Sequence, residues 1–368
     1  MPETGSRQRW THRGERRQRS VRAGAVLLAL VVGAVTLLPL IWQRSPDRQL
    51  DPAVAGLARP GSRFDTVRLA DGRTLAAVAV AVEVGAEELV LQGQPRPTRV
   101  AFRDLAGGGP EAGALDTRRF VLGSDEFGRD VAARLLAGGR VSLAVAGWTV
   151  LLISLVALPL GAAAGSAPPA VDRFVLRTLE ALQSFPRLFL LLGLAAIVRP
   201  GVVSVVLILG LTGWIPMARL VRAEVRSLRD REFVLAARAA GAGRLRIVLR
   251  HLLPNALAPA LVEASLAAAS AIVNEAALSF LGFGLQPPTA SWGSMIADGR
   301  STLSAGWWVA FFPGAALALT AIAFNLIGEG LRDALDPRAQ TPTAASASLP
   351  EGSLHTPHSS ALGASPGA

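Results

Sequence analysis

The chain has 368 residues, 51% of them hydrophobic, and a formal net charge of +10. It contains no cysteine, which excludes disulfides and thiolate metal sites, and its 37 basic residues are all Arg. Without Lys it cannot build a G-x-x-x-x-G-K-[ST] phosphate loop, and a mean hydropathy of +0.41 is too apolar for an average soluble domain.

Residues 1–22 carry seven Arg against Glu3 and Glu15 and are expected to form a disordered basic tail in the cytoplasm. Residues 23–42 are an apolar run of membrane-spanning length. The run is long for a signal-peptide core and no A-x-A site follows it, so it reads as an uncleaved first helix. Residues 43–138 form a long polar segment, with 13 Arg against 13 acids between Arg44 and Arg134. Thr66–Ala70, an Asp71-Gly72 turn, Thr74–Val84 and Glu88–Gln92 have strand character. The segment therefore reads as a small β-containing external insertion, a spacer or lid more than a ligand site.

Next comes Gly123–Asp130, GSDEFGRD, followed by Arg140-Val141-Ser142-Leu143. Asp125, Glu126, Arg129 and Asp130 can form charge-assisted bonds that lock the chain ahead of the second helix, with Gly128 between them. Acids interleaved with Arg at the head of a helix are more often structural than a catalytic pair. Five further apolar runs lie within residues 139–332: 141–164, 176–198 with Pro186 as a kink, 202–220, 257–282 and 307–328. Glu180 and Arg187 flank that kink, seven residues apart, on one helix face. The run at 257–282 is dense in Ala and Ser, which lets helices approach closely. Residues 337–368, rich in Ala, Ser and Pro, read as a disordered tail.

Between the fourth and fifth runs lies a polar, Arg-studded island, Ser227–Asn255, read as two short helices. Phe233, Ala236, Ala237 and Ala240 share one face of the first. Asp230 is placed to cap its start and Gly241 to end it in a left-handed turn. Leu245, Val248, Leu249 and Leu252 repeat the spacing in the second, and Pro254 is expected to bend the chain into the next run. An ordinary amphipathic helix on a membrane surface would show the same periodicity.

The island resembles the EAA loop of ABC-importer permeases, roughly E-A-A, three residues, Gly, then about nine residues to an apolar-Leu-Pro. Ala236, Ala237, Gly241, Leu253 and Pro254 fit, whereas Leu235 stands where the family has Glu. The resemblance implies that residues 227–255 contain a coupling helix that docks on an ATPase subunit, with Phe233 and Leu235 on the docking helix. GSDEFGRD and RVSL resemble the G-T-D-x-x-G-R-D…R-V-S-L entry of dipeptide and oligopeptide permeases. Asn274–Arg300, NEAALSFLGFGLQPPTASWGSMIADGR, resembles their E-A-x-L-S-F-L-G-x-G…P-P-x-x-x-W-G-x-M signature. The branch indicated is the dipeptide/oligopeptide/nickel one, on the side of the second, C-type permease subunit.

An acid at membrane depth is costly unless it faces a cavity or a partner. Glu275, with Asn274, therefore either lines the pathway or bonds a neighbouring loop, and Trp292 sits in a rigid outer loop that is re-entrant or faces the binding protein. These three are the candidate pathway or gating residues. Charge orients the chain: Arg219–Arg250 holds nine Arg against Glu224, Asp230 and Glu232, net +6, which places that loop and both termini in the cytoplasm. Arg beside membrane runs accounts for the basic charge without nucleic acid.

The expectation is an all-α integral membrane protein with six transmembrane helices, the type I ABC-importer fold, in the cell membrane. The resemblance implies a second permease, two ATPases and an external binding protein as partners, besides lipid, with no catalytic residue, cofactor or metal in this chain. Its default substrates are dipeptides or oligopeptides. A proton-coupled secondary transporter is the first rival, but it would want an internal repeat and midplane acids. A membrane-bound enzyme is the second, and it would need a nucleophile–base or metal constellation. His12, His251, His355 and His358 are scattered.

Overall fold

The computed structural model describes residues 4–83, 87–93, 98–109 and 114–335, with side chains from residue 20 onward. The tail read at 337–368 lies outside the described residues. Helix α1 (Thr4–Ile41) already begins in the basic segment, which corrects the expectation of a disordered tail there. Arg, Gln and Glu are good helix formers, so they continue the first turn of the apolar span backward.

After a short helix α2 (Pro52–Ala55) the chain builds strands β1 (Arg63–Arg68), β2 (Thr74–Ala77), β3 (Ala79–Glu83), β4 (Glu88–Gln92), β5 (Thr98–Ala101) and β6 (Leu115–Arg119). They form two antiparallel three-stranded sheets, ordered β2-β1-β6 and β3-β4-β5. The expected strand at 74–84 is thus two strands divided at Val78, one for each sheet. Leu89 and Leu91 alternate inward along β4 and join Val67, Leu69, Ala77, Val100 and Leu105 in a small core. A second cluster contains Phe64 and Phe120, packed edge to face at 5.8 Å.

The helical part follows: α3 (Val131–Gly165), α4 (Pro169–Gln183), α5 (Arg187–Ile197), α6 (Val202–Gly213), α7 (Ile215–Leu228), α8 (Glu232–Ala239), α9 (Arg244–Ile247), α10 (Leu253–Phe280), α11 (Trp292–Gly299) and α12 (Trp308–Leu335). Four helices are long and apolar enough to cross a membrane, and two bent pairs make six if each pair is one crossing. Helix α3 starts ten residues before the expected 141, because Asp130 caps it by accepting from the Ala132 and Ala133 amides. The α4–α5 pair bends by 75° at Pro186, too sharply for Glu180 and Arg187 to share a face. The α6–α7 pair bends by 40° ahead of Pro216.

Helix α9 passes through a π turn (Val248–Leu252) into α10, so Pro254 does not end a short helix. It sits in the first turn of α10, where its missing amide is tolerated, and the wider π turn before it accommodates the ring. Helix α3 packs on α7 and α10, α10 on α12, and α12 on α1. These pairings put the β sheets and α11 at one end of the bundle and the α8–α9 loop at the other.

Candidate functional site

At the loop end, α8 is an eight-residue helix with an exposed apolar face. Phe233 is 43% and Leu235 48% exposed, while Val234 between them is fully buried. Val234 belongs to a core cluster with Met217, Val221, Val225, Ile247 and Leu252, so it is the anchor of α8 in the bundle. Ala236 and Ala240 are exposed and Ala237 is half-buried. Asp230 does not cap α8: Arg231 occupies the N-cap with no side-chain bond, and the Asp230 carboxylate instead pairs with Arg229 at 3.3 Å.

Gly241 does end the helix as expected. Its φ is +82°, the Gly241 amide donates to the Arg238 carbonyl, and the Ala242 amide donates to the Ala237 carbonyl. This reciprocal pair is a Schellman ending, which favours Gly because a Cβ is strained at that φ. Leu253 is half-buried and Pro254 exposed at the head of α10.

Behind α8, Asp172 near the start of α4 is 3% exposed and accepts both arms of Arg222 at 2.5 and 2.8 Å. Arg226 donates to the same carboxylate at 2.5 Å. The planar guanidinium of Arg222 matches the carboxylate in a two-point contact that binds α4 to α7.

At the opposite end, the GSDEFGRD segment is a compact ionic lock. Asp125 accepts from Arg129 Nε at 2.6 Å and from the Phe127 and Arg129 amides. Gly128 has φ +69°, and a Cβ there would lie 2.6 Å from the Leu50 carbonyl oxygen. Asp130 adds an ion pair with Arg44 at 3.0 Å to its capping role. Arg129 and Arg134 converge on Asp298 of α11 at 3.5 and 3.4 Å. Burial pushes the Asp298 carboxyl above its ordinary range, and Arg134 and Arg129 oppose the shift. Glu126 is exposed.

Glu275 is fully buried on α10 and bonds a neighbouring loop. It accepts from Ser279 at 2.9 Å, from Ser291 at 2.8 Å and from Ser142 at 3.4 Å. Ser142 of α3 also accepts from the Trp292 amide at 3.1 Å, and Trp292 Nε1 donates to the Leu135 carbonyl at 3.0 Å. Trp292 is 1% exposed, inside the junction of α3, α10 and α11, not on an open outer loop. Asn274 is half-buried beside Glu275.

The structure thus gathers Glu275 and Trp292 in one junction and Asp125, Gly128, Arg129 and Asp130 in the lock beside it. Phe233, Leu235, Ala236, Ala237 and Gly241 lie at the other end. Sequence reasoning missed Arg134, Asp298, Ser142, Ser291 and the Asp172–Arg222–Arg226 cluster. Ser142, Ser291 and Asp298 stand inside the matched motifs, but Arg134 pairs with Asp298 across 164 positions and Arg222 with Asp172 across 50, which no local pattern reveals. Among the described residues no group of His, Cys, Asp and Glu could hold a metal ion.

The family model for binding-protein-dependent transport system inner membrane components matches residues 157–341. A putative peptide transport system permease protein of Brucella suis biovar 1 is 43% identical over 253 residues, 68% of this chain and 81% of the relative. The di/tripeptide transport system permease protein DppC of Pseudomonas aeruginosa is 42% identical over 60% of this chain and 73% of its own length. The dipeptide transport system permease protein DppC of Bacillus subtilis is 41% identical over 59% and 68%. Among solved structures, an inward-facing MetNI methionine ABC transporter chain aligns with a TM-score of 0.43 at 21% identity, covering 54% of this chain and 95% of that one. With the family model spanning residues 157–341 and relatives at 41–43% identity aligned over 68–81% of their own length, the chain belongs to the binding-protein-dependent transport system inner membrane components and is a multi-pass permease subunit of an ABC importer.

Proposed function

We propose that this chain is the second, C-type permease subunit of an importer for dipeptides, oligopeptides or a related small solute. The relatives' peptide activities and the matched entry and outer motifs support the substrate class. The chain forms half of the pathway and a non-identical permease the other half. Two ATPases dock from the cytoplasm, and an external binding protein delivers the solute. As a transport subunit it carries out no covalent chemistry; ATP-driven closure of the ATPases moves the docking helices and switches the pathway between its two faces.

The observation that carries this reading is α8. A short helix that ends in a Schellman turn, buries Val234 and leaves Phe233 and Leu235 uncovered is built to be covered by another protein. The surrounding loop has a net charge of +6, which orients α8 and both termini toward the cytoplasm and the β sheets outward. Glu275 and Trp292 serve the gate by holding α3, α10 and α11 together, and solute contact falls to Asn274. The exposed faces of α4 and α5, with Phe174, Phe189 and Ile197, meet lipid or the second permease.

Proteoliposomes holding the complete importer test the function. Peptide uptake should require ATP, the ATPases and the binding protein; uptake driven by a proton gradient alone would refute it. Because the chain has no Cys, Gly72→Cys and Arg238→Cys test the orientation. Position 72 should label from outside and position 238 only from inside, and the reverse pattern would overturn the assignment.

A further inference from the structure

Beside α8 lies a groove of about 500 Å³ between the α3–α4 turn and the loop that follows α8. Three guanidinium groups wall it: Arg229, Arg238 and Arg244. Their observed partners are mostly backbone carbonyls. Arg229 donates to Ala167 at 3.3 Å, Arg238 to the Arg229 carbonyl at 3.4 Å and Arg244 to Ser166 at 2.6 Å. A carbonyl accepts a hydrogen bond but brings no charge to cancel the cation. The one acid lining the groove is Asp230, on Arg229 at 3.3 Å. The groove therefore holds three cations against one anion, and each guanidinium has five N–H donors to place.

We propose that this groove receives a carboxylate side chain, Asp or Glu, projecting from the ATPase subunit that docks on α8; this rests on the coupling reading above. Two features favour a protein carboxylate. First, Arg238 lines the groove and stands one turn along α8 from the exposed Leu235, so one partner surface can cover Leu235 and place an acid among the arginines. Guanidinium and carboxylate match as planar two-point partners, and the contact is strengthened when the rim excludes water. Second, Leu235 has no polar group to offer the partner. The charged part of the docking contact then moves from α8's own apolar face to the arginines beside it, with the acid on the ATPase side. The loop's net charge of +6 steers such a partner in.

The absence of Lys from the chain provides a direct test. In the assembled importer, Arg238→Lys and Arg244→Lys each keep the charge and introduce the chain's one side-chain amine. A carbodiimide then joins that amine to any carboxylate in contact. The expected result is a permease–ATPase adduct that maps by mass spectrometry to one Asp or Glu of the ATPase, and none from an Arg300→Lys control at the other end. The double variant Arg238→Glu/Arg244→Glu should weaken ATPase binding about tenfold or more in low salt and flatten its salt dependence.

Adducts confined to Asp230 of the same chain would overturn the proposal. So would loss of binding to vesicles of anionic phospholipid in the double variant with ATPase binding unchanged, because the groove would then serve a headgroup. Phe233→Asp separates the two readings. If it releases the ATPase while the double variant retains it, docking on α8 stands and the carboxylate socket falls. If neither change weakens binding, the coupling reading falls and the socket with it.

Discussion

Gly241 is the position where a single atom group should separate folding from docking. Its φ of +82° lies in the left-handed region, and a Cβ built there meets nothing within 4 Å. Substitution therefore creates no clash with a neighbour, and the whole cost is conformational. Left-handed geometry costs an L residue about 1–2 kcal/mol, with a β-branched side chain at the upper end and Asn at the lower. Gly241→Val should lose about 2 kcal/mol locally. The least costly escape is to open the Schellman turn, which releases the Gly241–Arg238 and Ala242–Ala237 bonds and redirects α8 relative to α9. The main core cluster keeps Met217, Val221, Ile247 and Leu252, so insertion and overall stability should change little. ATPase co-purification and ATP-dependent uptake should both fall steeply in Gly241→Val and remain close to normal in Gly241→Asn. Equal loss in the two variants, or full activity in Gly241→Val, would refute the argument that backbone handedness sets the docking angle.

Asp172→Ala should leave Arg222 inside the bundle without its counter-charge and lower stability by about 3 kcal/mol, read as a drop in the detergent melting temperature. Normal melting would show that water already serves Arg222. Trp308→Phe removes the donor, 2.9 Å away, to the buried Ser124 carbonyl; it should cost about 1–3 kcal/mol and make the β-bearing segment easier to proteolyse. Asp298 sets a pH dependence. Burial holds its folded pKa above the ordinary carboxyl value, so its contribution to stability is full below that ordinary value and lost as pH rises through the folded pKa. Asp298→Asn has no such titration, and its melting temperature relative to wild type should improve from acid toward neutral pH; a constant difference would contradict the shift.

The sequence was legible where one chemical signal dominates over many residues. Apolar runs of spanning length located the four long apolar helices, and alternation in Glu88–Gln92 located a strand whose ends match the structure. The left-handed Gly241 followed from one residue type in one context. Boundaries were harder. Residues 131–140 looked like a polar approach to a span because Arg134 and Arg140 interrupt the apolar pattern. In the fold both are accommodated, Arg134 by acids and Arg140 by the carbonyls of Val35 and Thr36 on α1. Asp130 had the chemistry of a cap, but its signal was absorbed into the acid–Arg motif. The loop helix failed in the opposite sense: Asp230 had a cap's chemistry, but the adjacent Arg229 competes for its carboxylate. The angle at Pro186 and the company of Glu275 depend on contacts across the bundle, which a local reading does not contain.

The two ends of the bundle are fastened in different ways, and this limits where motion can start. At the β end, Asp125, Arg129, Arg134 and Asp298 interlock, Glu275 gathers hydroxyls from α3, α10 and the approach to α11, and Trp308 holds the Ser124 carbonyl. Breaking one such contact leaves a buried charge or polar atom unpaired, so these elements shift together or not at all. At the loop end, α8 is held chiefly by one buried side chain, Val234, and by its covalent continuity with α7 and α9. A pull on α8 is therefore delivered to the end of α7 with little lost in the loop. From there it meets the bidentate Arg222–Asp172 contact, which ties α4 to α7, and the packing of α7 on α3 and α10. Because Met217, Val221 and Val225 of α7 share one core with Ile153 and Ala157 of α3 and with Ala256 and Ala260 of α10, a displacement of α8 is passed to the bundle and not to α4 and α7 alone.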